Sequence, residues 1–183
     1  MDTLISYLET PGIVKNGSNM YFLARISTRN SIFEPIDNTI LEMKSSGNLR
    51  LIRNREIING LMNFERMIAQ YTNLLDIEGK EDVLSYPLIG ELFDARIFNK
   101  MVVVKNLNLT EREYATGATT NTLKPPGNPQ LISQDKEKIN MLIYYLHQRK
   151  SSFLGEVRRL LSQKELVEKL IQLINKEYNL EDE

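Results

Sequence analysis

The sequence predicts an all-α protein: an antiparallel bundle built on two long helices, with shorter N-terminal helices packed against them. Apolar residues recur at every seventh position in two separate stretches, one following Asn54 and one following Ser133. Heptad spacing gathers apolar side chains on one face of a helix, and that face is stable only when another helix covers it. A hairpin of two long helices is the simplest architecture that covers both faces.

Length and composition predict one globular domain over residues 1–183. The apolar share of 42% and the charged share of 26% are close to globular averages, which argues against a fibrous or disordered chain. The net charge of -1 provides no basic field for a phosphate backbone, so nucleic acid is not an expected partner. Cysteine is absent, which excludes disulfides, thiolate nucleophiles and cysteine zinc sites.

Three short helices are predicted before residue 47. Pro11 and Gly12 end the first of them, the second begins near Ser18, and Pro35 favours the start of the third. Their apolar faces consist of Leu4, Ile5 and Leu8, then Met20, Leu23, Ala24 and Ser27, then Ile36, Ile40 and Met43.

The stretch "SSGNLRLIRNREI" is typical of a corner between two helices. Gly47 suits the left-handed position that closes a helix, Asn54 suits the N-cap of the next one, and Glu56 complements that helix's dipole. We expect a structural corner formed by Ser46, Gly47, Asn48, Leu49, Leu51, Ile52, Asn54 and Glu56.

The first long helix is expected to start after Asn54 and to end or kink by Pro87. Its heptad positions are Ile57, Leu61, Phe64, Ile68, Tyr71 and Leu75. A further helical piece is expected between Leu92 and Met101, and "MVVV" is compatible with either a helix or a short strand.

Residues 106–132 are rich in Thr, Asn, Gly and Pro and have no periodicity, which predicts an irregular loop. Loops of this length are either functional or mobile, and mobility is the favoured interpretation.

The last helix is expected to run for about 45 residues from Ser133, with Gly155 or Ser162 as the easiest places for a bend. Lys150 and Lys164 interrupt its heptad pattern. One every-seventh series consists of Ile139, Leu146, Phe153, Leu160, Val167 and Ile174, and the other of Ile143, Val157, Ile171 and Tyr178.

Residues that carry chemistry do not form a recognisable catalytic motif. His147 is the single histidine and cannot make an ordinary zinc site alone. The acidic residues at positions 78–82 and 181–183 lack the pattern of a calcium loop. We therefore predict a non-enzymatic protein with no catalytic, cofactor-binding or metal-binding residues. Less favoured alternatives are an enzyme that uses Tyr144 and Tyr145, and a DNA-binding protein that uses the arginines of the corner.

The segment Leu41–Ile68, "LEMKSSGNLRLIRNREIINGLMNFERMI", resembles a bacterial family of membrane-anchored proteins classed as a domain of unknown function. Its members have a basic N-terminal segment, one transmembrane helix, a helical region with an "SGNLxLIxNxE" corner, and a long C-terminal helix similar to "LVEKLIQLINKEY". This chain resembles the soluble part of such a protein, because the transmembrane helix is not in it.

The resemblance implies a location on the extracytoplasmic face of the inner membrane, reached through an upstream helix, with the cytoplasm as the alternative. The function we expect is a helical module that binds a protein partner or forms a homo-oligomer. A ligand-sensing envelope domain is the alternative. The family supplies no activity and no cofactor.

Overall fold

A computed structural model describes residues 1–10, 12–28, 35–104 and 120–180 of the chain, and these residues are mainly helical. The predicted all-α class is confirmed, with one short pair of antiparallel strands added to it. The elements are α1 Asp2–Glu9, α2 Gly17–Ser27, α3 Asn38–Ser45, a 3₁₀ turn Asn48–Leu51, α4 Arg55–Val83, α5 Ser85–Leu92, α6 Ala95–Lys100, β1 Val102–Val104, β2 Thr120–Thr122 and α7 Lys136–Tyr178.

The chain groups into two compact units. Unit 1 contains Met1–Ile32 and Glu78–Ser152, and unit 2 contains Phe33–Ile77 and Phe153–Glu183. The two long helices, α4 and α7, contribute residues to both units. The prediction of a single domain stays a prediction.

Unit 1 contains the hydrophobic core, in which α1, α2, α5 and α6 pack with the N-terminal turns of α7. Aromatic rings occupy its centre: the Tyr21 ring meets that of Phe93 edge-on at 5.0 Å and that of Phe98 at 5.3 Å. Such ring pairs add about 0.5–1.5 kcal/mol beyond the area they bury. The buried residues are Leu4, Ile5, Leu8, Val14, Met20, Tyr21, Ala24, Ile89, Leu92, Phe93, Met101, Leu142 and Leu146.

Residues 124–132, which we call the proline strap, dock onto the segment that leads into α2. The Gln130 side chain accepts from Val14 N at 2.8 Å and donates to Val14 O at 2.9 Å, and Asn128 Oδ1 accepts from Gly17 N at 2.5 Å. Gly17 is required there, since a Cβ would collide with the Pro129 carbonyl. The side-chain amides of Asn128 and Gln130 thus satisfy backbone groups on both sides of the turn into α2, accepting from two of them and donating to one.

Part of the segment 106–132, which was predicted to be an irregular loop, has a defined structure. Thr120–Thr122 form a strand, because their backbone pairs antiparallel with Val102–Val104, and the strap lies docked in unit 1. The segment "MVVV" was compatible with a helix or a strand. Its residues Val102–Val104 form a strand. Residues 105–119 lie outside the described part of the chain.

The Tyr21 hydroxyl joins the strap to α6. It donates to the Gln130 carbonyl at 3.0 Å and accepts from Asp94 N at 2.8 Å. Burial raises the pKa of the Tyr21 hydroxyl, which favours the protonated form that donates this bond. One buried oxygen therefore satisfies two backbone groups from different parts of unit 1.

The long helices run antiparallel, as predicted. In unit 2, Asn54 Nδ2 at the start of α4 donates to Glu177 Oε2 near the end of α7 at 2.9 Å. Six residues further along α4, Gly60 lies against the Leu170 side chain, where a Cβ would come within 2.6 Å of Leu170 Cδ1. Residues later in α4 therefore contact residues earlier in α7, as antiparallel helices require. Within unit 1, Asp82 of α4 pairs with Arg149 of α7.

The predicted heptad face of α4 is the one that faces inward. Ile57 and Tyr71 are buried, while Leu61, Phe64, Ile68 and Leu75 are half-buried. From α3, Ile40 is also buried in unit 2, and Lys44 donates to both carboxylate oxygens of Glu65, at 2.5 and 2.6 Å. The heptad pattern therefore identified the packed face of α4.

One predicted helix boundary is wrong, and two others lie within a few residues of the prediction. The third helix begins at Asn38 rather than at Pro35, which leaves Ile36 exposed. The first long helix ends at Val83, four residues before Pro87, and this proline lies in the first turn of α5, where its missing N–H costs no helical bond. The last helix begins at Lys136, because Asp135 Oδ1 accepts from Glu137 N at 3.0 Å as its cap.

Replacing Tyr21 by Phe should lower the free energy of unfolding by about 1–3 kcal/mol, since the Gln130 carbonyl and Asp94 N lose their partner inside the protein. Chemical denaturation measures the change. Tyr86→Phe is the matched control, because the Tyr86 hydroxyl is exposed and donates one bond of 3.3 Å to Thr28 O. Equal losses for the two variants would contradict the bridging role of Tyr21.

The Tyr21→Phe variant should also change the alkaline stability profile. A raised folded-state pKa means that the stability associated with the neutral hydroxyl is complete below the ordinary value of 10.0 and is lost as pH rises above it. The unmodified chain should therefore lose stability faster than the variant above that pH. Parallel denaturation curves on either side of it provide the measurement.

Candidate interaction surface

The part of α7 in unit 2 carries a continuous ladder of heptad positions, spaced alternately by four and three residues. We call this ladder the α7 stripe. It consists of Phe153, Val157, Leu160, Lys164, Val167, Ile171, Ile174 and Tyr178. Seven of the eight side chains are apolar or aromatic, which is the pattern of a helix surface that packs against another helix.

The expectation that this ladder packs against α4 is wrong for most of the stripe. Phe153 is 54% exposed, Ile171 50% and Tyr178 48%. The α7 residues that meet α4 are Leu170 and Glu177, on a different face. Consecutive residues lie about 100° apart around a helix, so Ile171 points to the side of α4 when Leu170 points toward it.

Helix geometry accounts for the gradation in exposure along the stripe. An every-seventh series drifts by about 20° per heptad around a straight α-helix. Phe153 is 54% exposed and Leu160 40%, whereas Val167 and Ile174 are half-buried. The series thus rotates toward α4 as it approaches the end of α7, and its N-terminal positions are the most open.

The charged position in the stripe is also exposed. Lys164 Nζ lies 3.7 Å from Glu168 Oε1, one helical turn later, and both side chains are in contact with water. Ion pairs of this kind contribute only about 0.3–0.5 kcal/mol. Leu154 and Leu161 flank the stripe on the side away from Leu170 and are exposed as well. The stripe and its flank form a broad apolar surface with one lysine inside it.

The predicted corner is present with the geometry that the sequence indicated. Gly47 has φ of +73° and leads from α3 into the 3₁₀ turn. Asn54 Oδ1 accepts from Glu56 N at 2.9 Å, which is the expected N-cap bond of α4. Ser46 Oγ donates to Glu42 O at 2.7 Å and covers a carbonyl at the end of α3.

The apolar part of the corner is less buried than an anchored connector would be. Leu49 and Ile52 are half-buried, Leu51 is 70% exposed, and Asn48 and Glu56 are exposed. The corner residues are thus brought together by backbone geometry and capping.

A groove in unit 2 is the second surface of interest. It has a volume of about 560 Å³ and lies between the segment before α3 and the side of α4 that carries Ile68 and Thr72. Its lining combines apolar and acidic side chains. The lining residues are Pro35, Asp37, Glu65, Ile68, Ala69, Thr72, Asn73 and Asp76.

The residues that were considered for metal binding, DNA binding or catalysis do not form one site. His147 is exposed on α7, and the arginines of the corner, Arg50, Arg53 and Arg55, are exposed too. The rings of Tyr144 and Tyr145 contact each other edge-on at 5.7 Å. Within the described ranges, no three histidine or acidic side chains converge on a position that would hold a metal ion.

No α-helix in the described part of the chain is both long enough and apolar enough to span a bilayer. No protein-family model, curated protein or solved structure matches this chain.

Replacing Gly47 by Val should lower the free energy of unfolding by about 1–2 kcal/mol, because a β-branched residue is strained at positive φ. Gly47→Asn is the matched control and should cost less, since asparagine tolerates the left-handed region. Thermal or chemical denaturation of the two variants measures the difference. A valine variant as stable as the unmodified chain would contradict the structural role of this glycine.

Proposed function

We propose that this chain is a non-enzymatic helical module that binds protein through the α7 stripe. The observation that carries the proposal is the exposure of five large side chains of the stripe, namely Phe153, Val157, Leu160, Ile171 and Tyr178. Single exposed apolar residues are normal on a protein surface, but a contiguous apolar patch on one face marks an interaction site.

Protein is the class of partner that fits this surface best. The stripe is long and convex, as a helix face is, whereas small-molecule sites are concave and enclose their ligands. A partner helix that laid its own apolar face along the stripe would remove each half-exposed side chain from water. Each side chain exposes roughly 100 Å² and would contribute about 2 kcal/mol at roughly 25 cal/mol per Å², before the cost of association is subtracted.

We also propose that the module works on the extracytoplasmic face of a bacterial inner membrane, as the soluble part of an anchored protein. Support for this location is confined to the resemblance of the corner, from Ser46 to Glu56, to the membrane-anchored family. The cytoplasm is the alternative. Labelling single-cysteine variants of the full-length protein in intact cells with a membrane-impermeant reagent distinguishes the two locations.

Site-specific photo-crosslinking tests the interaction. A photoreactive amino acid at Leu160, in the stripe, should give adducts of discrete mass in cells that produce the full chain. Leu166 is the matched control, because it is an exposed leucine of the same helix that lies off the stripe. The same amino acid at Leu166 should give few adducts or none.

Two outcomes would contradict the proposed function. One is an equal yield of adducts from Leu160 and Leu166, which would mean that the stripe has no special role in binding. The other is a lack of discrete protein adducts from every exposed stripe position. Adducts from the stripe alone would support the proposal whatever the identity of the captured protein.

The groove on α4 favours a second candidate, a ligand-sensing domain. Its apolar lining and the carboxylate of Asp37 would suit a small cationic ligand with an apolar portion, whereas the carboxylate of Glu65 is already paired with Lys44. A ligand at about 100 times its dissociation constant should stabilise the protein by roughly 2.7 kcal/mol. A thermal-shift screen of organic amines would detect this, and a screen with no shift would count against it.

A further inference from the structure

We infer that the partner of the α7 stripe is a second copy of this chain, with the two stripes packed antiparallel over residues 153–178. This inference rests on the proposed function and names the partner. Three features of the stripe support it: the symmetry of its spacing, the position of its one charge, and the area that it exposes.

The spacing of the stripe reads the same in both directions, because it alternates four, three, four, three, four, three, four. An antiparallel copy therefore brings each stripe position opposite another stripe position. Phe153 lies opposite Tyr178, and Leu160 lies opposite Ile171. Val157 then faces Ile174. Every apolar member that is half exposed in one copy meets an apolar member of the other, as an isologous two-fold contact requires.

Lys164 determines the direction of the pairing. In a parallel dimer each residue of the stripe faces its own equivalent, so the two Lys164 ammonium groups would meet inside the interface and repel each other. In the antiparallel dimer Lys164 faces Val167 of the second copy, and Glu168 of that copy follows directly. The carboxylate that pairs with Lys164 within one chain, at 3.7 Å, would then have an equivalent across the interface.

The exposed area is sufficient for a specific dimer. Seven apolar side chains of the stripe and its flank are between about one-third and three-fifths exposed: Phe153, Leu154, Val157, Leu160, Leu161, Ile171 and Tyr178. At about 200 Å² for a large side chain they offer roughly 700 Å² per copy, close to the ~800 Å² that each partner buries in a standard interface.

Sedimentation equilibrium of the full chain tests whether the dimer exists and whether the stripe forms it. The unmodified chain should show a concentration-dependent dimer, and Leu160→Glu should weaken it at least tenfold. Leu166→Glu is the matched control, since it makes the same change at a leucine that is also exposed but lies off the stripe. Circular dichroism should show unchanged helix content in both variants.

Disulfide trapping tests the direction. The chain contains no cysteine, so single-cysteine variants report on one position each. In an antiparallel dimer, Leu160→Cys and Ile171→Cys should form a mixed disulfide when the two variants are combined and oxidised, and little disulfide when either is oxidised alone. A parallel dimer would give the opposite result.

Three results would overturn the inference: a monomer at concentrations up to about 1 mM, well above the micromolar range of weak interfaces of this size; a dimer equally sensitive to both glutamate variants; or self-disulfides from each cysteine variant alone. These results leave the proposed function separately testable. If Leu160 gave adducts with a different protein, the proposed protein-binding function would stand. The inference that the partner is a second copy of this chain would then be wrong.

Discussion

The close approach of α4 and α7 in unit 2 is the constraint on which the rest of that unit depends. Gly60 supplies it, because the missing Cβ leaves space for the Leu170 side chain. Once Leu170 faces α4, the positions on either side of it around α7 are fixed by the helical repeat. Ile171 then lies about 100° around the helix from Leu170, on a side of α7 that the contact with Gly60 does not cover. The exposure of Ile171 agrees with this orientation.

Much of the fold could be predicted from the sequence, since periodicity and capping act locally. The heptad positions of α4 are the ones that pack, Gly47 has its expected positive φ, and Asn54 caps α4 as its sequence position indicated. These features depend on neighbouring residues along the chain. A single sequence therefore contains the information that specifies them.

The orientation of α7 could not be predicted in the same way, because this helix has apolar residues on more than one face. Heptad counting identified Phe153, Leu160 and Ile171 but did not distinguish a face that meets α4 from one left open. Leu170 was outside the counted series, and Gly60 had no periodicity to mark it. The signal that was available was an interior glycine in a long helix, which costs about 1 kcal/mol and usually has a packing reason.

The proline strap also affects the length of the antiparallel pair formed by β1 and β2. Leu123 N donates to the Met101 carbonyl at 2.8 Å, and two prolines begin three residues after β2 ends, at Pro125. Proline cannot supply the N–H that a neighbouring strand would need, and it is one of the residues that natural sheets use to protect an edge. The prolines of the strap thereby also limit how far β2 can lengthen beyond Thr122.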